Sequence, residues 1–115
     1  MAPLHTHERE SEGFYVLEGE VSFVVGDRTL TVTAGSFAFV PPKVRHAFRV
    51  VSPEAKFLTI VAPAGLRAFF EEMGEPAASR SLPPPPEGPP DLRRLEELAA
   101  KYGITILGPP PGESR

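Results

Sequence analysis

The chain has 115 residues, enough for one domain with one hydrophobic core, and a net charge of −3 from 15 acidic and 12 basic residues. Lys and Arg are scattered among Asp and Glu with no basic block, which argues against a nucleic-acid partner, and no apolar run reaches the ~20 residues of a membrane helix. Zero cysteines exclude disulfides and thiolate ligands, so a metal here has to be held by nitrogen and oxygen.

The chain opens Met1-Ala2-Pro3-Leu4-His5-Thr6-His7, without the basic-then-apolar pattern of a secretory signal, and so reads as cytoplasmic. Phe14-Tyr15-Val16-Leu17 is an apolar strand ending at the turn Glu18-Gly19-Glu20. Val21 to Val25 is the next strand, stopped by Gly26-Asp27. Arg28 to Thr33 alternates polar and apolar residues, as a half-buried strand does, and stops at Ala34-Gly35. Phe37 to Val40 is broken by Pro41-Pro42, because proline cannot donate to a ladder. His46 to Val51 and Phe57 to Ala62 complete the set. Short strands at this spacing predict an antiparallel sandwich or barrel.

After Pro63 the pattern changes. Leu66 to Met73 has helical composition and ends at Gly74. Ten of the 15 prolines follow residue 75, and residues 76–90 form a connector whose Pro83-Pro84-Pro85-Pro86 suggests polyproline II. Asp91 is placed to cap a helix over Leu92 to Tyr102, with Leu92, Leu95, Leu98, Ala99 and Tyr102 on one apolar stripe and Gly103 as the stop. Ile104 to Leu107 reads as one last short strand. The expected division is a barrel core over residues 1–63 and an extension over 64–115, with the leucine stripe packed on the barrel or on a partner subunit. The competing reading of the prolines is a recognition ligand for another protein.

All three histidines fall in two short stretches. Side chains at i and i+2 of a strand share a face, so His5 and His7 can aim at one point. Glu12 stands near the start of the next strand, and His46 follows the Pro41-Pro42 break. Three imidazoles and a carboxylate suit one divalent ion of Fe, Mn, Ni, Cu or Zn. Glu8 and Glu10 are the competing carboxylates, and an exposed acidic turn is the plain reading of all three. Phe14, Val16, Phe37, Phe48 and Phe57, with Phe39, are candidates to line a pocket beside the ion, although ordinary core packing accounts for most of them. Arg45 and Arg49 alternate away from His46 and are expected in solvent, as is the loop residue Lys43.

These stretches resemble the two motifs of the cupin superfamily. The first is a His-x-His pair, a glutamate a few residues on and a glycine, here His5, His7, Glu12 and Gly19. The second runs from a glycine through Pro-x-Gly to a histidine and an asparagine, here Gly35, Pro41 and His46, with departures at Lys43 and Val50. The resemblance covers roughly residues 3–62, and the piece after residue 63, with its Pro-rich run and Gly-ended helix, resembles the tails of small single-domain bacterial cupins likened to quercetin dioxygenases. It implies an all-β, small antiparallel barrel of the double-stranded β-helix or jelly-roll type, carrying a Pro-rich and helical C-terminal extension. It also implies one metal ion on His5, His7, Glu12 and His46, a further role for Glu12 as base, and a homodimer. Only four residues precede the His-x-His pair, where cupins usually have one or more strands, so a second subunit is expected to cover that edge.

The functional expectation is a metal-dependent, dioxygenase-like enzyme for a small aromatic or enolisable substrate, with isomerisation also within the superfamily's range. The alternatives are a non-catalytic barrel that binds or senses a small ligand, and a structural metal site in an interaction protein.

Overall fold

A computed structural model describes residues 2–81 and 91–109. Eight strands and two helices follow in chain order. The strands are β1 (Ala2–His7), β2 (Ser11–Glu18), β3 (Glu20–Val25), β4 (Arg28–Thr33), β5 (Phe37–Val40), β6 (His46–Val50) and β7 (Lys56–Ala62); helices α1 (Leu66–Met73) and α2 (Leu92–Lys101) come next, and β8 (Ile104–Gly108) is last. Two antiparallel sheets result, one ordered β4-β3-β6-β1-β8 and the other β5-β2-β7. This is an antiparallel two-sheet arrangement of the kind that the strand spacing predicts, and it is the small all-β double-stranded β-helix that the resemblance implies. The proposed polyproline run, Pro83 to Pro86, lies outside the described residues.

Between the sheets, Phe14 and Val16 of β2 meet Val21 and Phe23 of β3, Val32 of β4, and Ala38 and Val40 of β5. The turn between β2 and β3 depends on Gly19. Its φ of +87° is strained for any residue with a Cβ, and a Cβ there would also collide with the Glu54 carbonyl. The loop entering β6 meets the same requirement without glycine, since Lys43 sits at φ 68°. The motif position usually held by glycine is therefore left-handed here too, with a lysine bearing the strain.

The open edge expected beside β1 is filled from within the chain. β8 pairs with β1 through His5↔Ile106, Thr6↔Thr105 and His7↔Ile104, so the partner subunit expected at that edge is replaced by the chain's own C-terminal strand. The physical reason is a second apolar cluster that carries the chain back. Leu66 and Phe69 of α1, Ala99 of α2 and Ile104 of β8 are buried together, with Leu95, Leu98, Tyr102 and Ile106 packed against them. Asp91 caps α2 by accepting from the Arg94 N–H at 3.0 Å. Glu72 ties the helices together, accepting from Lys101 at 2.7 Å and from the Tyr102 hydroxyl at 2.8 Å. Gly103, at φ 74°, turns the chain out of α2, and its carbonyl accepts from the Glu8 N–H at 2.8 Å, which sets β8 alongside β1.

Candidate metal centre

Three neighbouring strands bring the candidate ligands together. β1 contributes His5 and His7, and its pairing with β6 places His46 directly opposite His5. Glu12 comes from β2 in the facing sheet, where it pairs with Val40 and turns inward. His7, Glu12 and His46 are buried, at 3%, 6% and 3% exposure, and His5 is partly buried. One ligand atom from each of the four lies within 4.8 Å of the other three. Glu8 is exposed, and Glu10, although buried, is not part of the cluster.

Backbone carbonyls orient two of the rings. His5 Nδ1 donates to the Pro3 carbonyl at 2.6 Å and His46 Nδ1 to that of Val44 at 3.0 Å. With Nδ1 protonated, each Nε2 keeps its lone pair and points inward. His7 Nε2 lies 2.7 Å from Glu12 Oε1 and 3.1 Å from His5 Nε2. His46 Nε2 is 3.6 Å from Glu12 Oε2 and has no hydrogen-bond partner although it is buried. Leaving a buried acceptor unmatched costs about 1–3 kcal/mol. A cation among these four groups removes that cost.

The protonation states suit ligation. Burial, helped by the neighbouring His46 and His7, holds the His5 imidazole down at about 4, against the weaker pull of the Pro3 carbonyl and Glu12. Burial pushes the Glu12 carboxyl up, but the imidazoles of His46, 3.6 Å away, and His7, 2.7 Å away, outweigh it and hold the group at about 2. At neutral pH the cluster therefore offers a carboxylate and a neutral His5 ring, as metal binding requires. Donors about 2.1 Å from one ion lie within about 4.2 Å of each other. The 4.8 Å spread is thus within a small side-chain movement of a shared centre. The donor set fits a divalent ion of the Fe, Mn, Ni, Cu or Zn group.

The cluster opens into a cavity of about 340 Å³. Phe14 and Phe48, two of the expected pocket residues, line it together with Thr59. Val16 and Phe57 do not: they belong to the core cluster of the barrel and are absent from the cavity wall. Phe37 is a clear departure, since it is 53% exposed on the outer face of β5, as is Phe39 at 55%. The parity of β5 is set by its partner, because Glu12 and Phe14 face inward and pair with Val40 and Ala38. Arg45 and Arg49 are exposed, and Arg45 pairs with Asp27 at 2.9 Å. The wall that residue-by-residue reading missed comes from the extension: Leu66, Phe69 and Phe70 of α1, Leu95 of α2, and Ile104 and Ile106 of β8. The leucine stripe and the final strand were visible as elements, but nothing local said that they close over the histidines.

A buried His/Glu cluster at one end of a double-stranded β-helix defines the class of protein. Comparison with known proteins agrees: the Cupin domain family matches residues 1–61, and the chain belongs to the cupins, with a domain of the cupin-2 type. Among curated proteins it is similar to the quercetin 2,3-dioxygenase of Bacillus subtilis (strain 168), at 28% identity over 96 residues, which is 84% of this chain and 28% of that enzyme. The quercetin 2,3-dioxygenase of Aspergillus japonicus is 24% identical over 85 residues, covering 70% of this chain and 24% of the enzyme. The chain thus spans about a quarter of the length of these two relatives. Among solved structures, a protein of Thermus thermophilus superposes with a TM-score of 0.51 at 35% identity, covering 53% of this chain and 59% of that one. A Klebsiella pneumoniae protein with a double-stranded β-helix domain gives 0.50 at 26% identity, covering 54% and 52%.

Proposed function

We propose that this cupin is a metal-dependent enzyme, dioxygenase-like in its chemistry, acting on a small aromatic or enolisable substrate. The observation that carries the reading is the buried four-donor cluster facing an apolar cavity of about 340 Å³. His5, His7, Glu12 and His46 would hold one divalent ion, which when bound supplies a Lewis acid that polarises a substrate oxygen. The likeness to part of two quercetin 2,3-dioxygenases supports this chemistry over a purely structural metal site.

The chain's own residues account for the rest. Phe14, Phe48 and Phe69 give the substrate apolar surface, and the ring of Phe14 is held by Phe23 at 4.9 Å between centroids. Among the described residues the cavity is lined by no lysine or arginine, so it suits a neutral body with one oxygen-bearing group turned toward the histidines. Glu12, ionised at neutral pH, is placed to accept a proton from an enol or phenol at that group. The helices over the cavity limit water around the reacting atoms.

The test is oxygen uptake by metal-loaded protein, with flavonols and simple 1,3-diketones as substrates. Turnover in the wild type that falls at least about tenfold in Glu12→Gln, with metal content retained, supports the reading. Tight binding of such compounds to the loaded protein without turnover would overturn it in favour of a non-catalytic binding cupin.

A further inference from the structure

An imidazole that ligates a metal uses both nitrogens: one takes the ion, and the other, protonated, needs an acceptor that fixes the ring. His5 and His46 have theirs in the Pro3 and Val44 carbonyls, at 2.6 Å and 3.0 Å. His7 does not, since its Nδ1 is buried without a hydrogen-bond partner. Among the described residues, two other side-chain polar atoms are buried and unmatched, His46 Nε2 and Glu10 Oε2. The first belongs to the four-donor cluster. The second is an acceptor without a donor, three residues along the chain from the ring that lacks an acceptor.

We propose that Glu10 is the positioning residue of His7, its Oε2 accepting the Nδ1 proton when His7 Nε2 serves as a metal ligand. This rests on the metal-centre reading above, to which it adds a side chain that touches no ion. The tautomer of His7 explains why the two atoms stand unmatched here. His7 Nε2 lies 2.7 Å from Glu12 Oε1 and 3.1 Å from His5 Nε2, which bears a lone pair because Nδ1 of that ring donates to Pro3. Both contacts need a donor, so the ring proton of His7 is on Nε2 and its Nδ1 carries a lone pair. A lone pair and a carboxyl oxygen have no proton to share. Ligation needs the Nε2 lone pair, which moves the proton to Nδ1 and turns that atom from acceptor to donor. Glu10 is placed to receive it. The residue is 6% exposed, between exposed Arg9 and half-buried Ser11, and so continues the two-residue alternation that turns Glu12 and Phe14 inward. Three residues of chain put the Cα atoms of His7 and Glu10 at most about 11 Å apart, a gap that two side chains of this length can close. Backbone hydrogen bonds hold the ring's end of β1: Lys43 N–H donates to the His7 carbonyl and Glu8 N–H to that of Gly103, each at 2.8 Å. The approach is therefore left to the Glu10 side chain.

Glu10→Leu removes the acceptor at similar volume, and Glu10→Gln keeps an acceptor oxygen. Zinc affinity of the full chain, measured by competition with a chromogenic chelator, should fall about 10–100-fold in Glu10→Leu and recover at least in part in Glu10→Gln. The urea midpoint of Glu10→Leu with chelator present should equal or exceed that of wild type, because an unmatched buried carboxyl gives way to an apolar side chain. A merely structural role would lower affinity and midpoint together. Proton NMR of zinc-saturated protein with 15N-labelled histidine gives a second readout. Of the three ring N–H signals, the one bonded to a carboxyl group should lie furthest downfield, and it alone should shift in Glu10→Leu. Affinity of Glu10→Leu within about threefold of wild type, or three unmoved ring signals, would overturn the proposal and leave the metal centre standing. Wild type with no affinity for zinc or any other of the candidate ions would fail the metal centre first, and this proposal with it.

Discussion

Lowering the pH of the metal-free protein from 7 to 5 should cost stability through His5, and the size of the effect follows from the site. The His5 imidazole titrates near 6.5 in the unfolded chain but at about 4 in the fold, because burial and the rings of His46 and His7 oppose the charged form. Below 6.5 the unfolded chain therefore binds a proton that the folded chain refuses. Stability contributed by the neutral ring is complete above that value and is lost progressively as the pH falls toward 4. At pH 5 the loss is about 2 kcal/mol at 1.36 kcal/mol per unit, reduced to roughly 1.5 by the partial exposure of the ring. Glu12 acts in a lower window, since its carboxyl moves from 4.5 to about 2 and its contribution is lost only as the pH falls through that range. The assay is urea unfolding followed by circular dichroism at pH 7, 6 and 5, with chelator present, for wild type and His5→Gln. Wild type should lose roughly 1.5 kcal/mol more than the variant. Parallel losses in the two proteins, within about 0.5 kcal/mol, would refute the claim that His5 is held neutral by its surroundings.

Two further substitutions probe parts of the fold on which the site depends. Phe69→Ala empties a buried position shared by the second cluster and the cavity wall, and should cost about 3–4 kcal/mol in urea unfolding. A loss under about 1 kcal/mol would mean that α1 is not docked there. Lys43→Gly should raise the unfolding midpoint by up to about 1 kcal/mol in stability terms, because relief of a φ of 68° outweighs the added freedom of the unfolded chain. A net loss of stability would instead show that the lysine side chain holds its loop.

Much of the barrel was legible because its signals are local. Gly19, Gly26-Asp27, Ala34-Gly35 and Pro41-Pro42 punctuate apolar runs, and the strands fall between them. The histidines were legible because His5 and His7 stand two apart on a strand and His46 follows a proline break at the motif spacing. Inside and outside were not legible for β5, where Phe37-Ala38-Phe39-Val40 is apolar on both faces. Hydrophobicity favours burying the phenylalanines, but register with Glu12 and Phe14 buries Ala38 and Val40 instead. Val16 and Phe57 were candidates for the pocket wall, but alternation says nothing of depth along the barrel, and both belong to the core rather than to the cavity wall. The pairing of β8 with β1 joins residues about a hundred positions apart, and no local pattern records a contact of that range. Hence the extension was readable as two helices and a strand, while its place as one wall of the site was not.

The central claim is that His5, His7, Glu12 and His46 form one metal centre, and metal content tests it most directly. Elemental analysis of untagged protein, purified without added metal, should find about one Fe, Mn, Ni, Cu or Zn per chain, and His46→Ala should hold less than about a tenth of that. Wild-type protein without metal that takes none up from any of these ions on incubation would contradict the account.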